Sequence, residues 1–187
     1  HIEDLHDAAL AAALRHKIDR KTVPQGALGR MAALAQQLGL ILGTTEPHLA
    51  PPQLLVFAAD HGIAARGVSA YPSDVTWQMV GNFLAGGALV SVLARQHGIA
   101  MQVVDCGVRR DFDPAPGLIV RKIAPGTQDS ASGPAMTAAQ CAQALKNGAD
   151  IVRALPGNAL LLGEMGIGNT SAAALLVARL ADIDVAE

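Results

Sequence analysis

Two kinds of hydrophobic spacing follow one another along this chain. From Ile2 to Ile18, and again from Ala27 to Leu42, apolar residues recur every three or four positions, which predicts two amphipathic helices. A proline and a glycine lie between them and predict the break. Short apolar runs then replace this spacing. We therefore predict an N-terminal helical segment at residues 1–45, belonging to a smaller helical domain, and a different architecture at residues 46–187.

The second part of the chain alternates short apolar runs with helical patterns. The runs are QLLVFAAD, AMQVVDCGV, GLIVRKI and NALLLGEMG. They have the length and composition of buried parallel strands. Helices are predicted over Ser73–His97, broken into two at Ala85–Gly87, and after Thr137, whose spacing from Gln140 predicts a capping box. The predicted fold class is α/β, with a doubly wound, mostly parallel sheet and flanking helices.

Composition and charge exclude some classes of function. Hydrophobic residues make up 51% of the 187 and charged residues 16%, so most apolar surface must be buried by packing, and association or a missing partner segment is expected. The formal net charge of −2, without a Lys/Arg cluster, argues against nucleic-acid binding. Apolar runs fall short of the roughly 18 residues that cross a bilayer, so no membrane partner is expected. Cys106 and Cys141 lack paired spacing, and no signal peptide follows His1, which favours a cytoplasmic location.

Polar side chains come at the ends of three predicted strands. Asp60 and His61 follow the first strand, Asp105 lies near the end of the second, and Glu164 lies near the end of the last. Ligands of open α/β sheets bind beyond the carboxyl ends of the strands, so we expect the chemistry there. One Asp and one His make a weak ligand set, so no metal is expected. Asp60 and His61 are instead candidates for orienting a loop.

A glycine-rich stretch, LLGEMGIGNTSAAALL, joins the last strand to a helical segment. In it Gly166 and Gly168 precede Asn169 and Thr170, which are common N-cap residues. Free backbone N–H groups and the helix dipole favour a phosphate at such a helix start, so the stretch is a candidate anion site. An ordinary tight turn that needs glycine explains the pattern equally well. The stretch is not a Walker loop, because it lacks the Gly-Lys-Ser/Thr ending.

Glu164 lies inside this same stretch. A phosphate bound directly beside a carboxylate would be repelled, so a functional Glu164 is expected to face the other end of the ligand. A ribose carbon that gains oxocarbenium charge is a group that a carboxylate can stabilise. The alternative is a structural acid that accepts hydrogen bonds from neighbouring backbone N–H groups. The sequence pattern leaves both interpretations open.

Aromatic and amide side chains are concentrated after the first strand. Aromatic residues are only 3% of the chain, yet Ser69, Tyr71, Trp77, Gln78 and Met79 lie close together. Apolar walls with a few polar anchors suit a flat heteroaromatic ligand. Core packing explains Trp77 and Met79 equally well.

Five stretches, taken together and in order, resemble the nicotinate-nucleotide:dimethylbenzimidazole phosphoribosyltransferases of cobalamin biosynthesis. They are KTVPQGALGRMAALAQQL, VFAADHGIAARGVSAYPSDVTWQMVGNFLAGGALVSVLA, VVDCGV, GPAMT and LLGEMGIGNTSAAALL. The resemblance implies transfer of 5-phosphoribosyl from nicotinate mononucleotide to 5,6-dimethylbenzimidazole, giving α-ribazole 5'-phosphate and nicotinate. It also implies a homodimer that uses no metal or other cofactor.

The resemblance implies roles for individual residues as well. Glu164 is similar to the acid of the family's Gly-Glu-Met/Leu-Gly motif, near the ribose and the bound ring, and is the candidate catalytic residue. Part of the nucleotide-binding loop is resembled by Gly166, Gly168, Asn169 and Thr170, which are therefore the candidates for nucleotide and phosphate binding. Ser69, Tyr71 and Gln78 resemble one side of the base pocket.

The resemblance also implies that much of the machinery lies elsewhere. Family members are roughly twice as long, and their general base is a glutamate in the C-terminal half, past Glu187. The 187 residues alone are therefore expected to be inactive. Two other interpretations stay open: a non-catalytic nucleotide-binding domain, and a metal-dependent hydrolase centred on Asp60 and His61.

Overall fold

The computed structural model describes residues 5–185, which form two compact units. One unit ends at Leu49 and the other begins at Ala50. The first unit contains two helices. In the second, a four-stranded parallel sheet is combined with four α-helices and one short 3₁₀ helix. The predicted α/β class with a parallel sheet is confirmed, whereas the domain division at residue 45 stays a prediction.

The helices and strands follow the predicted order. The helices are α1 (Ala8–Asp19), α2 (Arg30–Ile41), α3 (Asp74–Leu84), α4 (Leu89–Gln96), α5 (Ala138–Ala154) and α6 (Asn169–Ala181). The strands are β1 (Gln53–Ala59), β2 (Ala100–Gly107), β3 (Leu118–Val120) and β4 (Leu160–Met165), and the 3₁₀ helix is Gly62–Arg66. All four predicted strands are present in the structure.

Both N-terminal helices begin later than the hydrophobic spacing predicts. The Asp7 side chain accepts the N–H of Leu10 at 2.9 Å and caps α1, which begins directly after it. The predicted start at Ile2 lies outside the described residues. Similarly, α2 begins only at Arg30, because Gly29 has a φ of 49° and closes a turn. Apolar residues recur within these preceding segments too, so the spacing does not locate the first helical residue.

The strand order β3-β2-β1-β4 places β1 inside the sheet and β4 at an edge. On one face Leu55 packs with Ile151 of α5, and on the other Ala58 packs with Val80 of α3. The register pairs Phe57 of β1 with Glu164 of β4. Because all the strands are parallel, the carboxyl ends of β1, β2 and β4 meet at one edge of the sheet, which brings the predicted polar residues there.

The segment Asp74–Gln96 is long and apolar enough to cross a membrane, judged by length and composition alone, with a mean hydropathy of 1.3. It is an exception to the expectation that the chain contains no such stretch. In the structure it forms two helices, as predicted, separated by a turn in which Gly86 has a φ of 77°. Val80 and Ala94 are buried in the two clusters of core residues on this side of the sheet.

The predicted capping box at the start of α5 is confirmed. The Thr137 hydroxyl accepts the N–H of Gln140 at 3.2 Å, and the Gln140 side-chain oxygen accepts the N–H of Thr137 at 2.8 Å. Two backbone donors that a helix start leaves unpaired are satisfied in this way. The box fixes the start of the helix that connects β3 to β4.

Candidate active site

Glu164 lies at the carboxyl edge of the sheet in a small polar cluster. Its Oε1 is 3.7 Å from Nε2 of His61, which follows β1. Its Oε2 accepts a hydrogen bond from the side-chain amide of Asn169, the first residue of α6. We call Glu164, His61 and Asn169 the edge cluster. The Glu164 side chain is 48% exposed, so its carboxylate is both held from one side and open to a ligand.

The His61 ring is the buried member of the edge cluster. Its side chain is 17% exposed, and its Nε2 is a buried atom that lacks a hydrogen-bond partner among the described residues. Buried polar atoms without a partner are uncommon in folded proteins. The 3.7 Å to Glu164 exceeds the usual hydrogen-bond distance of about 3 Å. A small shift of either side chain would therefore join the ring to the carboxylate.

The backbone between β4 and α6 forms a tight turn at Gly166, Ile167 and Gly168, which we call the glycine turn. All three residues are buried. A Cβ at Gly166 would lie 2.4 Å from the carbonyl oxygen of Ala59, so no larger residue fits there without a shift. Gly168 has a φ of 90° and is the N-cap of α6. The glycines are therefore required by backbone geometry and close packing.

The N-cap expectation for Asn169 and Thr170 is wrong, because both lie inside the first turn of α6. The left-handed conformation before the helix favours glycine, so Gly168 takes the cap position. The N–H of Ile167 donates to Oγ1 of Thr76 at 3.0 Å, and the N–H of Asn169 donates to the carbonyl of Gly166 at 2.9 Å. Two donors that a phosphate could use are thus taken, while Thr170 is exposed at the helix start.

Asp60 makes contacts of the kind that a loop-orienting residue needs. It is only 3% exposed, and its carboxylate accepts the N–H of Arg109 at 2.8 Å. Its backbone N–H donates to Gly107, and its carbonyl accepts the N–H of Thr127. Three segments are joined through this one residue. Within residues 5–185, no group of three or more His, Cys, Asp and Glu side chains could hold a metal ion.

Asp105 is buried at the end of β2 and shapes the turn that follows. One of its oxygens accepts the N–H groups of Gly107 and Val108, and the other lies 3.4 Å from Nζ of Lys122. Burial lowers the pKa of Lys122, but its hydrogen bond to Asp111 and the charge of Asp105 outweigh this, so the pKa is raised overall. Lys122 therefore pairs as a cation with Asp105 and Asp111, which holds the loop after β2 in place.

The predicted base-binding residues lie in and before α3. The N–H of Tyr71 donates to the Ser69 hydroxyl at 3.2 Å, and the Tyr71 ring is exposed. Gln78 is exposed on α3. Among the described residues, no hydrogen bond joins Ser69, Tyr71 or Gln78 to the edge cluster. The structure thus brings Ser69 and Tyr71 together, and the base-binding role of all three stays a prediction.

Trp77 follows the core-packing alternative. It packs against the core cluster that contains Val80, and its ring stacks on Phe112 with centroids 6.4 Å apart. The guanidinium of Arg110 lies 4.9 Å from the centroid of the same ring. Trp77 therefore anchors the loop after β2 onto α3.

Comparisons with known proteins agree with the α/β fold and identify the family. Residues 4–187 match a family model described as phosphoribosyltransferase. The chain belongs to this phosphoribosyltransferase family. The resemblance seen in the five sequence stretches is thereby confirmed, and the enzyme class of the family is that of a glycosyl-group transferase.

Individual phosphoribosyltransferases match nearly the whole of this chain. Nicotinate-nucleotide–dimethylbenzimidazole phosphoribosyltransferase of Variovorax paradoxus is 70% identical over 184 residues, which are 98% of this chain and 53% of that protein. The protein of the same name from Dechloromonas aromatica is 55% identical over 184 residues, 97% of this chain and 53% of its own. A crystal structure of the Thermus thermophilus enzyme superposes with a TM-score of 0.86 at 42% identity, covering 95% of this chain and 55% of that one. The chain spans about half the length of these phosphoribosyltransferases.

Two stretches that resemble the phosphoribosyltransferases line a cavity of about 120 Å³ near the N-terminus of α5. Cys106 and Gly107 come from VVDCGV, and Ala135 and Met136 come from GPAMT. Burial, with a smaller contribution from the charge of Asp105, raises the pKa of the Cys106 thiol to about 11, so this side of the cavity is uncharged at neutral pH. The sequence pattern assigns no chemistry to these residues, because small and apolar side chains carry no signal of their own.

Two contacts of the candidate active site were not predicted. The Asn169 side chain binds Glu164, although the sequence suggested that it binds nucleotide. Thr76 of α3 binds the glycine turn across 91 residues of sequence. A threonine in a helical pattern gives no sign of its partner, since the partner depends on how α3 packs against β4.

Proposed function

We propose that the full-length protein transfers 5-phosphoribosyl from nicotinate mononucleotide to 5,6-dimethylbenzimidazole. The products are α-ribazole 5'-phosphate and nicotinate. The names of the relatives supply the two substrates. The observation that carries the proposal is the Glu164 carboxylate, half-exposed at the carboxyl edge of a parallel sheet and oriented by Asn169.

The chemistry proposed for Glu164 follows from the charge of the reacting nucleotide. When the bond between ribose C1' and the pyridinium nitrogen breaks, its electron pair goes to nitrogen. Nicotinate therefore leaves without a general acid, and positive charge develops on the ribose. A carboxylate held in advance by Asn169 stabilises this charge without reorganising during the reaction. Attack by a benzimidazole nitrogen on the opposite face then converts the β-nucleotide to an α-riboside.

The incoming base must lose a proton during this reaction. The imidazole ring of dimethylbenzimidazole attacks through one nitrogen, and the proton on the other passes to a general base. By the resemblance, this base is a glutamate in the half of the family protein that the present chain does not span. We therefore propose that residues 1–187 alone have no transferase activity.

The remaining parts of the proposal concern binding and assembly. The phosphate would bind at the first turn of α6, where no side chain among the described residues caps the helix and Thr170 is exposed. Ser69, Tyr71 and Gln78 would line one side of the base pocket. We propose a cytoplasmic homodimer that works without a metal or other cofactor.

Product analysis of the full-length protein tests the proposal. The protein is incubated with nicotinate mononucleotide and dimethylbenzimidazole, with the 187-residue chain run alongside, and the products are separated by chromatography. We expect equimolar nicotinate and α-ribazole phosphate from the full-length protein only, with NMR showing the α configuration. A folded full-length protein that binds the nucleotide but forms no product would contradict the proposal and favour a non-catalytic binding domain.

A further inference from the structure

Thr76 links α3 directly to the glycine turn. Its side chain is completely buried, and its Oγ1 accepts the N–H of Ile167 at 3.0 Å. Ile167 is itself only 8% exposed, so water does not readily replace this hydrogen bond. A buried N–H without an acceptor is unfavourable. The position of α3 is therefore coupled to the position of the turn.

The glycine turn is also confined on its other sides. A Cβ at Gly166 would lie 2.7 Å from the His61 ring, which shows how closely the turn packs on the residues after β1. A Cβ at Gly168 would lie 3.5 Å from Ala64 of the 3₁₀ helix. The turn therefore has little room to move towards His61, whereas an added Cβ at Gly168 would make only an ordinary contact with the 3₁₀ helix. The hydrogen bond from Thr76 fixes it from the side of α3.

A second contact joins the same two elements. Met165, the residue between Glu164 and the turn, packs against the core cluster that contains Val80 of α3. Thr76 and Val80 are four residues apart and thus lie on one face of the helix. This face of α3 thus binds the backbone of Ile167 and shares a core cluster with Met165, while exposed Gln78 lies on the same helix.

We propose that Thr76 is a positioning residue, which sets the glycine turn and hence Glu164 relative to the residues of α3. The inference rests on the proposed function, in which Glu164 faces the ribose and Gln78 belongs to the base pocket. This hydrogen bond fixes the position of α3, which carries Gln78 of the proposed base pocket, relative to the glycine turn, which adjoins the proposed nucleotide site. Thr76 acts through the backbone of Ile167 and does not touch a substrate.

Three variants of the full-length protein test this role. Thr76→Val keeps the shape of the side chain but removes the acceptor, whereas Thr76→Ser keeps the acceptor. Ser91→Ala is the matched control, because Ser91 is also buried and its hydroxyl donates to the Phe83 carbonyl at 3.1 Å, which joins α3 to α4 rather than to the turn. For each protein we would measure kcat, the KM of both substrates, thermal stability and amide hydrogen exchange of the peptide that contains Ile167.

Thr76→Val should lower kcat/KM by about tenfold to a hundredfold, the loss expected when reacting groups are misplaced by up to 1 Å. Most of this loss should be in kcat, and exchange at Ile167 should be faster. Thr76→Ser should recover most of the activity, and Ser91→Ala should keep it despite a similar loss of stability. Equal losses in Thr76→Ser and Thr76→Val, or in Ser91→Ala, would overturn the proposal, as would full activity of Thr76→Val.

These results are distinguishable from failure of the proposed function. If the wild-type protein forms no α-ribazole phosphate, the proposed function is wrong whatever the variants do. Hydrogen exchange then decides the inference about Thr76: faster exchange at Ile167 in Thr76→Val, but not in Thr76→Ser or Ser91→Ala, supports the coupling. Unchanged exchange in Thr76→Val contradicts it.

Discussion

Two carboxylates at the same edge of the sheet are used in opposite ways. Asp60 is buried, and its side chain binds the N–H of Arg109. Glu164 is half-exposed and binds a side chain, Asn169, rather than backbone N–H groups. Burial with backbone partners is typical of a structural acid, while an oriented and accessible carboxylate is able to act on a ligand. The two residues differ in their hydrogen-bond partners, and their positions at the ends of strands in the sequence do not reveal these partners.

The structural use of Asp60 leads to a prediction about stability. Asp60→Ala leaves the N–H of Arg109 without its charged acceptor and should lower the free energy of unfolding by about 2 kcal/mol. Chemical denaturation of the full-length protein measures this loss. Asp113→Ala is the control, since Asp113 is exposed. Equal stability of the two variants would show that Asp60 does not hold the loops.

The two cysteines should differ in reactivity because their surroundings differ. Burial raises the pKa of Cys106 to about 11, whereas Cys141 is exposed on α5. Thiolates rather than thiols react with iodoacetamide, so at pH 8 only about one in a thousand Cys106 side chains is reactive. Mass spectrometry of the alkylated protein should show Cys141 modified first. The alkylation rate of Cys106 should then rise as the pH approaches 11. Faster labelling of Cys106 than of Cys141 at pH 8 would contradict the burial of Cys106.

Among the elements, the glycine turn shows what a sequence pattern reveals and what it omits. Clustered glycines before a helix predict a tight turn, and the turn is present. The pattern did not show that Gly168 rather than Asn169 is the cap, or that Thr76 accepts the N–H of Ile167. These details depend on the packing of α3 and β1 around β4. The turn itself was thus predictable, and the partners of its backbone were not.

Crowding at the glycine turn gives a prediction at the scale of the element. Gly166→Ala places a methyl group against the Ala59 carbonyl and the His61 ring, so it should cost about 1–3 kcal/mol and reduce activity. Gly148→Ala in α5 is the matched control, because nothing lies within 4 Å of its added Cβ and alanine favours helix. Thermal unfolding and turnover are measured for both. If Gly166→Ala and Gly148→Ala have the same thermal stability and the same turnover, Gly166 is not crowded.

At the scale of the molecule, a large apolar surface lies beside the candidate active site. β4 is an edge strand, and Leu162 in it is 68% exposed. Leu176 and Leu180 of α6 are 63% and 85% exposed. Such surfaces are rare on isolated soluble domains. Because the chain spans about half the length of its relatives, we expect the remainder of the full-length protein to cover them.

This apolar surface predicts how the chain behaves by itself. Residues 1–187 alone should self-associate, while the full-length protein should form a discrete species, since covered apolar surface no longer drives association. Size-exclusion chromatography with light scattering distinguishes the two. Leu180→Lys should reduce association of the chain more than Leu145→Lys does. Leu145 is the control because it is also exposed but lies on α5 rather than on α6. A monodisperse chain that is unaffected by Leu180→Lys would contradict this expectation.

The sequence predicted the architecture better than it predicted the site. The four strands, the break between α3 and α4 and the capping box of α5 follow from local patterns, and all are confirmed. Helix starts near Asp7 and Gly29 were misplaced, because capping and left-handed turns interrupt a continuous hydrophobic spacing. Contacts such as that between Thr76 and Ile167 join distant segments and require the tertiary structure.

The Glu164 carboxylate is expected to stabilise the charge that develops on the ribose during the proposed reaction. The most direct measurement is the turnover of full-length Glu164→Gln beside its dissociation constant for nicotinate mononucleotide. Glu46→Gln is the matched control, since Glu46 is exposed and pairs with Lys17 in the N-terminal unit. We predict that Glu164→Gln lowers kcat by about a hundredfold or more while nucleotide affinity changes little. Unchanged turnover in a folded Glu164→Gln protein would contradict a catalytic role and make Glu164 a structural residue.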